Sequence, residues 1–196
     1  LEESGEAYRI DHTVQVTSFG GSGTTALCGY LLEHGVDLQK GPGQWPFKHR
    51  RLPPARDEVP EGFRVVYIVG DPRDAIVSIF RRELQIGHYQ SLHGHDPGPA
   101  AAETLVPMER FLAGGEDLFE LTDHVERWMK HEPGYPVLFV RYEQLADTWP
   151  EVRRYVGLAD DVAPLRVRPR SSDWRSLEPP LRDQIDEMYG ALARTI

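Results

Sequence analysis

Residues 20–25 of this 196-residue chain read Gly-Gly-Ser-Gly-Thr-Thr. Three glycines (Gly20, Gly21, Gly23) and three hydroxyls (Ser22, Thr24, Thr25) are the materials of an anion site. Glycines let backbone N–H groups close on an oxyanion. The first turn of a following helix leaves its own N–H groups unpaired and aimed at it. Hydroxyls add donors. The ATP-loop pattern G-x-x-x-x-G-K-[ST] is not met, because Gly23 precedes Thr24 and no lysine lies between Thr13 and Gln39. The loop therefore offers neutral donors, and positive charge must come from elsewhere. The basic residues are nearly all arginine, and they cluster: Lys48-His49-Arg50-Arg51, Arg73, Arg81-Arg82, and Arg166, Arg168, Arg170 and Arg175. Planar guanidinium forks match phosphate and sulfate oxygens.

The elements that must hold these groups follow from hydrophobic period and punctuation. A β-branched run in 13–18 enters the glycine turn as a strand, and 24–34 leaves it as a helix that Gly35 ends. Residues 37–62, with several prolines and glycines, read as loop with short extended pieces. The continuous apolar run Phe63–Gly70 reads as a buried parallel strand. Asp71 is a good N-cap and Pro72 a good first helical residue. The helix they open runs to about Gln85, with an apolar stripe at 75, 76, 79 and 80 that Val77 and Leu84 extend. Residues 86–103 read as loop, 107–113 and 117–131 as helices, 137–141 as a third buried strand, and 149–157 and 180–194 as helices. Alternating strands and helices predict an α/β fold. Its three layers are a mostly parallel central sheet flanked by helices, in one domain over 1–196, with 1–12 polar and frayed.

Composition narrows the function. A net charge of −9 argues against general nucleic-acid binding, and 40% hydrophobic residues argue for a packed core. No apolar run is long enough for a membrane span and no signal-peptide pattern opens the sequence, so a cytoplasmic protein is expected. The single cysteine, Cys28, reads as a small buried residue. His88, His93 and His95 do not make a metal site, because no carboxylate or cysteine is spaced to complete the set. His124 and Trp128 share one helix face and read as structural.

Taken in order, four blocks resemble the sulfotransferases that use 3′-phosphoadenosine 5′-phosphosulfate (PAPS), above all the cytosolic type, with its P-loop-like α/β fold. Gly20–Thr25 is similar to the family's Lys-Ser-Gly-Thr-Thr loop for the 5′-phosphosulfate. Val66–Ser78 is similar to the segment that binds the 3′-phosphate, and the region from Phe111 through Trp128 to Glu143 is the third block. Ser172-Asp-Trp-Arg175 is similar to the family's Gly-Asp-Trp-Lys. The resemblance implies that Ser22, Thr24 and Thr25 serve the 5′ end and Ser78 the 3′-phosphate. It places Tyr142 by the adenine, and Arg168 and Arg170 where the family has its phosphate clamp. The family's base is a histidine between the first two blocks; here His49 stands there, and an imidazole titrates near neutral pH. The implied reaction is in-line sulfuryl transfer to a hydroxyl or amine of a small molecule, lipid or carbohydrate, without metal, leaving 3′-phosphoadenosine 5′-phosphate (PAP).

The sequence departs from the pattern where charge matters most. The loop lysine is Gly21, the arginine heading the second block is Gly70, and the aromatic after Thr-Thr is Ala26. Pro169–Ser172 replaces the C-terminal glycine clamp. A charge-assisted contact is worth about 1.5–3 kcal/mol, so two lost cations need substitutes. Lys48 is expected to serve the leaving phosphate and Arg73 the 3′-phosphate. Two other readings remain at this stage: a member of the fold that binds a nucleotide or partner without catalysis, and a P-loop small-molecule kinase.

Overall fold

The computed structural model describes residues 10–38, 48–166 and 171–196. Three strands, β1 (Val14–Thr17), β2 (Arg64–Val69) and β3 (Val137–Arg141), form a sheet in that order. Both pairings are parallel, with Val16 opposite Val66 and Tyr67 opposite Phe139. Parallel neighbours need crossovers, and helices supply them. Helix α1 (Thr24–Glu33) follows β1. Helices α2 (Pro72–Arg81), α3 (Gln85–His93), α4 (Pro99–Leu105), α5 (Met108–Gly114) and α6 (Leu121–Lys130) lie between β2 and β3. Helices α7 (Trp149–Val156) and α8 (Pro179–Thr195) follow β3.

Central strand β2 shows why this is a three-layer α/β fold. Its alternate side chains serve two cores. Val65, Tyr67 and Val69 pack with Ile76 and Phe80 of α2, Trp128 of α6 and Ile185 of α8. Val66 and Ile68 face the other way, toward Leu27 and Leu31 of α1 and Trp149 and Val152 of α7. Cys28 is buried there too, and burial pushes its thiol up to about 12. His124 is buried within hydrogen-bond distance of the Tyr67 hydroxyl, Nδ1 to Oη 2.8 Å, and the Trp128 indole N–H donates to the Arg50 carbonyl. Among the described residues no helix is long and apolar enough to cross a membrane.

Three expectations shift, the smallest being the helix expected from 117, which starts at Leu121. Helix α2 stops at Arg81 rather than near Gln85. The Leu84 N–H bonds back to the Ile79 carbonyl and the Glu83 N–H to Phe80, with Glu83 at φ 54. That is the Schellman end, but a glutamate occupies the left-handed seat that glycine usually takes, so no glycine marks the stop. Leu84, expected in the buried stripe, is exposed instead. Residues 86–103, expected as loop, hold most of α3 and part of α4. Their histidines and Gly/Pro pairs hide the helices, because α3 buries only His88 and Leu92 and leaves no apolar stripe to read. The Gly/Pro signals are the helix ends themselves: Gly94 caps α3 in the left-handed region and Pro99 opens α4.

Candidate active site

The carboxyl ends of parallel strands are where an open α/β sheet forms its ligand crevice, and here all three strands point that way. β1 runs into the glycine turn, β2 into Gly70-Asp71 and α2, and β3 into Tyr142. A cleft of about 350 Å³ opens there, toward the small end of ligand sites, which span ~300–1,000 Å³. One wall is Gly21, Gly23, Thr24, Thr25 and Ala26; another is Ser78, Arg81, Arg82 and Leu84. Lys48, His49, His88, Tyr142, Ser171 and Ser172 complete it.

The turn is shaped by three left-handed glycines, at φ 101 (Gly20), 65 (Gly21) and 76 (Gly23). Each is also pressed by a neighbour. A Cβ on Gly20 would stand 2.0 Å from the His88 ring, one on Gly21 2.7 Å from the Ala75 Cα, and one on Gly23 2.1 Å from the Tyr142 ring. Helix α1 begins straight from Gly23 with no side-chain cap and no acid in its first turn. Its unpaired N–H groups thus face the cleft uncontested.

The hydroxyls divide. The Ser22 hydroxyl is fully buried and donates inward to the carbonyls of Gly20 and Ile68, so Ser22 can offer the cleft only its backbone N–H. The Thr24 hydroxyl bonds that of Ser18 at 2.6 Å. Thr25 is exposed and meets Lys48, whose Nζ donates to its Oγ1 at 2.7 Å. Burial lowers the Lys48 pKa below the ordinary lysine value.

Ser18 organises this corner, and sequence reasoning did not single it out. Its N–H donates to the Lys48 carbonyl, extending the edge of β1 by one bond, and its Oγ accepts from the Gly20 N–H. Its carbonyl lies 3.0 Å from His49 Nδ1. A carbonyl only accepts, so Nδ1 carries the proton and Nε2 keeps the lone pair. Burial, opposed by that bond, brings the His49 pKa down to about 4. The imidazole is therefore neutral at pH 7. The His88 ring lies edge-on, 5.1 Å away, its Nε2–H given to the Phe19 carbonyl, with burial lowering its pKa to about 3. A position at the end of a strand just before a glycine turn was the one available signal for Ser18.

Ser78 lines the cleft from α2, and Tyr142 lies across it against Gly23. Arg73 is placed elsewhere. Its guanidinium bonds both Asp71 oxygens and Asp186, and it stacks 4.1 Å from the centre of the Trp174 ring. The expectation that Arg73 serves the 3′-phosphate is thus corrected: two carboxylates hold it at the start of α2, outside the cleft lining. Arg168 and Arg170 lie outside the described residues. Arg81, Arg82, His88, Ser171 and Ser172 line the cleft without having been assigned to it from the sequence. Arg81 donates to the hydroxyls of Ser172 and Ser171, at 3.1 and 2.8 Å, and the Trp174 N–H donates to Asp74 Oδ1. The C-terminal segment is thereby fastened along α2. His93 and His95 are engaged as well: His93 Nε2 with the Leu118 carbonyl and His95 Nδ1 with that of Asp96. Among the described residues no group of three or more metal-ligating side chains is gathered.

Comparisons with known proteins agree with this architecture. The family model described as sulfotransferase domain matches residues 59–156, half of the chain. Sulfotransferase 1B1 of Canis lupus familiaris is 25% identical over 84 residues, a stretch that is 43% of this chain and only a quarter of that relative. The crystal structure of mouse sulfotransferase SULT7A1 complexed with PAP superposes with a TM-score of 0.55 at 17% identity, covering 97% of this chain and 88% of that one. That likeness is one of fold.

Proposed function

This chain belongs to the sulfotransferase family, and on that premise we propose that it transfers a sulfuryl group from PAPS to a hydroxyl or amine of a small-molecule, lipid or carbohydrate acceptor. The observation that carries the reading is the pairing at the cleft mouth. His49 is held by Ser18 with its Nε2 lone pair available, beside a Lys48 ammonium resting on Thr25. PAPS supplies the activated sulfuryl group. The backbone N–H groups at 23–25 and the Thr25 hydroxyl hold the anionic 5′ end. Lys48, from the segment beside the end of β1, reaches the Thr25 hydroxyl; in this reading it serves in place of a lysine at 21 and neutralises the oxygen that keeps the electrons of the breaking S–O bond. His49 Nε2 takes the acceptor proton as the new S–O bond forms. Ser78 and Tyr142 receive the 3′-phosphate and the adenine, with Arg168 and Arg170 as further candidates for the phosphate end. By analogy with phosphoryl transfer, positioning and charge stabilisation do most of the work.

One observation favours a second reading, a nucleotide-binding member of the fold without turnover. Gly21 is not merely lacking a lysine; Ala75 occupies the space from which one would start. Titration with PAP in metal-free buffer, followed by PAPS turnover against a panel of phenols, sterols and sugars, separates the two. Micromolar binding with turnover that Lys48→Ala abolishes supports the enzyme. Binding without turnover supports the second reading. No binding at millimolar PAP overturns both.

A further inference from the structure

The site has a charge problem that neither Lys48 nor Arg73 solves. The position where the family carries an arginine at the head of α2 is Gly70, and Arg73 is neutralised by Asp71 and Asp186. A nucleotide with phosphates at both ends of its ribose needs cations on the α2 wall as well as at the glycine turn. Resting on the donor reading above, we infer that Arg82, with Arg81 beside it, holds the 3′-phosphate, so that the charge comes from the C-terminal end of α2 instead of its first turn.

Three observations converge. Ser78, Arg81 and Arg82 stand at i, i+3 and i+4, which puts them on one helix face, and all three line the cleft. Next, the pair is uncompensated. No carboxylate is among the described residues that line the cleft. Among the described residues no acid is paired with Arg81, Arg82 or Lys48, in a protein of net charge −9. Two adjacent guanidiniums repel, and burial together with Arg81 lowers the Arg82 pKa, a cost that a bound dianion removes. Finally, both are oriented. Arg82 Nε donates to the Ser78 carbonyl at 3.1 Å, which leaves its two terminal nitrogens without a hydrogen bond to another described residue. Arg81 is fixed by Ser171 and Ser172, which bring the C-terminal segment to the same wall. A guanidinium anchored by one edge with its fork open is suited to bidentate contact with phosphate oxygens. The C-terminal end of a helix also favours cations, which accounts for arginines there but not for the open fork or the missing acids.

The test compares two nucleotides that differ only in the 3′-phosphate. PAP and adenosine 5′-phosphate are titrated by calorimetry into the full chain and its Arg82→Ala, Arg82→Lys and Arg81→Ala variants, with thermal unfolding to verify folding. The inference expects Arg82→Ala to weaken PAP about 10- to 100-fold and adenosine 5′-phosphate less than about twofold. It expects Arg82→Lys to keep part of the preference for PAP, and Arg81→Ala to reduce it. If the wild type prefers PAP and Arg82→Ala retains that preference in full, the inference is overturned while the donor reading stands. Equal losses for both nucleotides also overturn it, because Arg82 would then serve the common 5′ half. A wild type that binds neither nucleotide removes the donor reading and this inference together.

Discussion

In the reaction proposed above His49 is the base, and one carbonyl sets its direction. Because Ser18 takes the Nδ1 proton, the lone pair is fixed on Nε2, and because burial holds the pKa near 4, that lone pair is present throughout the neutral range. The sign is specific. Protonation would remove the base only as pH falls through about 4, so the acid limb of kcat/KM is expected near pH 4 rather than near 6.5. A pH–rate profile checks it, and a limb at 6.5 would mean that His49 is not the group being titrated. His49→Gln is expected to lower kcat about 10²- to 10⁴-fold with the PAP dissociation constant within about threefold of wild type. Steady-state kinetics beside calorimetry separate those two effects.

At the level of elements, helix α2 carries the most consequence, since its first turn seats Arg73, its face bears Ser78 and its last turn bears Arg81 and Arg82. Its end is strained by Glu83 at φ 54. Glu83→Gly is expected to raise stability by about 1 kcal/mol, the cost of a left-handed non-glycine residue, read as a higher urea midpoint with unchanged m-value. In β1, Gln15 is fully buried with neither amide atom partnered among the described residues. Gln15→Met, of similar shape, is expected to stabilise by about 1–2 kcal/mol, since an unsatisfied buried polar group costs ~1–3 kcal/mol; chemical denaturation measures it. These elements also show how far the sequence could be read. The three strands, α1, α7 and α8 were legible because their apolar period or their caps are explicit. The stop at Arg81 was not, because a glutamate fills a glycine's seat. Helix α3 was not, because it packs by two residues instead of a stripe. In the site, Gly21, Gly23, Thr24, Thr25, Lys48, His49, Ser78 and Tyr142 line one cleft, while Gly20 and Ser22 are not among its lining residues. Arg73 was not legible, because the second of its two carboxylate partners, Asp186, lies 113 residues away, and Arg81 and Arg82 lacked any local sign that α2 would turn them toward the cleft.

Across the whole molecule, His88 and His124 are held neutral by burial, each with its pKa lowered to about 3. Their unfolded forms take up protons near 6.5. A depressed folded pKa means that the stability they permit is complete above pH 6.5 and is lost as pH falls toward about 3. Each is expected to cost about 1.4 kcal/mol per pH unit within that window, with His49, lowered only to about 4, adding less. Urea unfolding between pH 7 and 5 checks the slope, and His124→Phe is expected to remove about one proton from it. The carboxylates that Arg73 and Arg127 hold in their charged form, Asp71 and Glu120, have pKa values below their usual range and add to the loss only at lower pH. The three glycines of the turn bear on a different matter, the routes open to directed change. Each is wedged against a different part of the chain (α3, α2 and the residue after β3), so a side chain on any one of them requires that neighbour to move. A library of single substitutions will not recover a lysine at 21, since that residue and the helix carrying Ala75 must shift together.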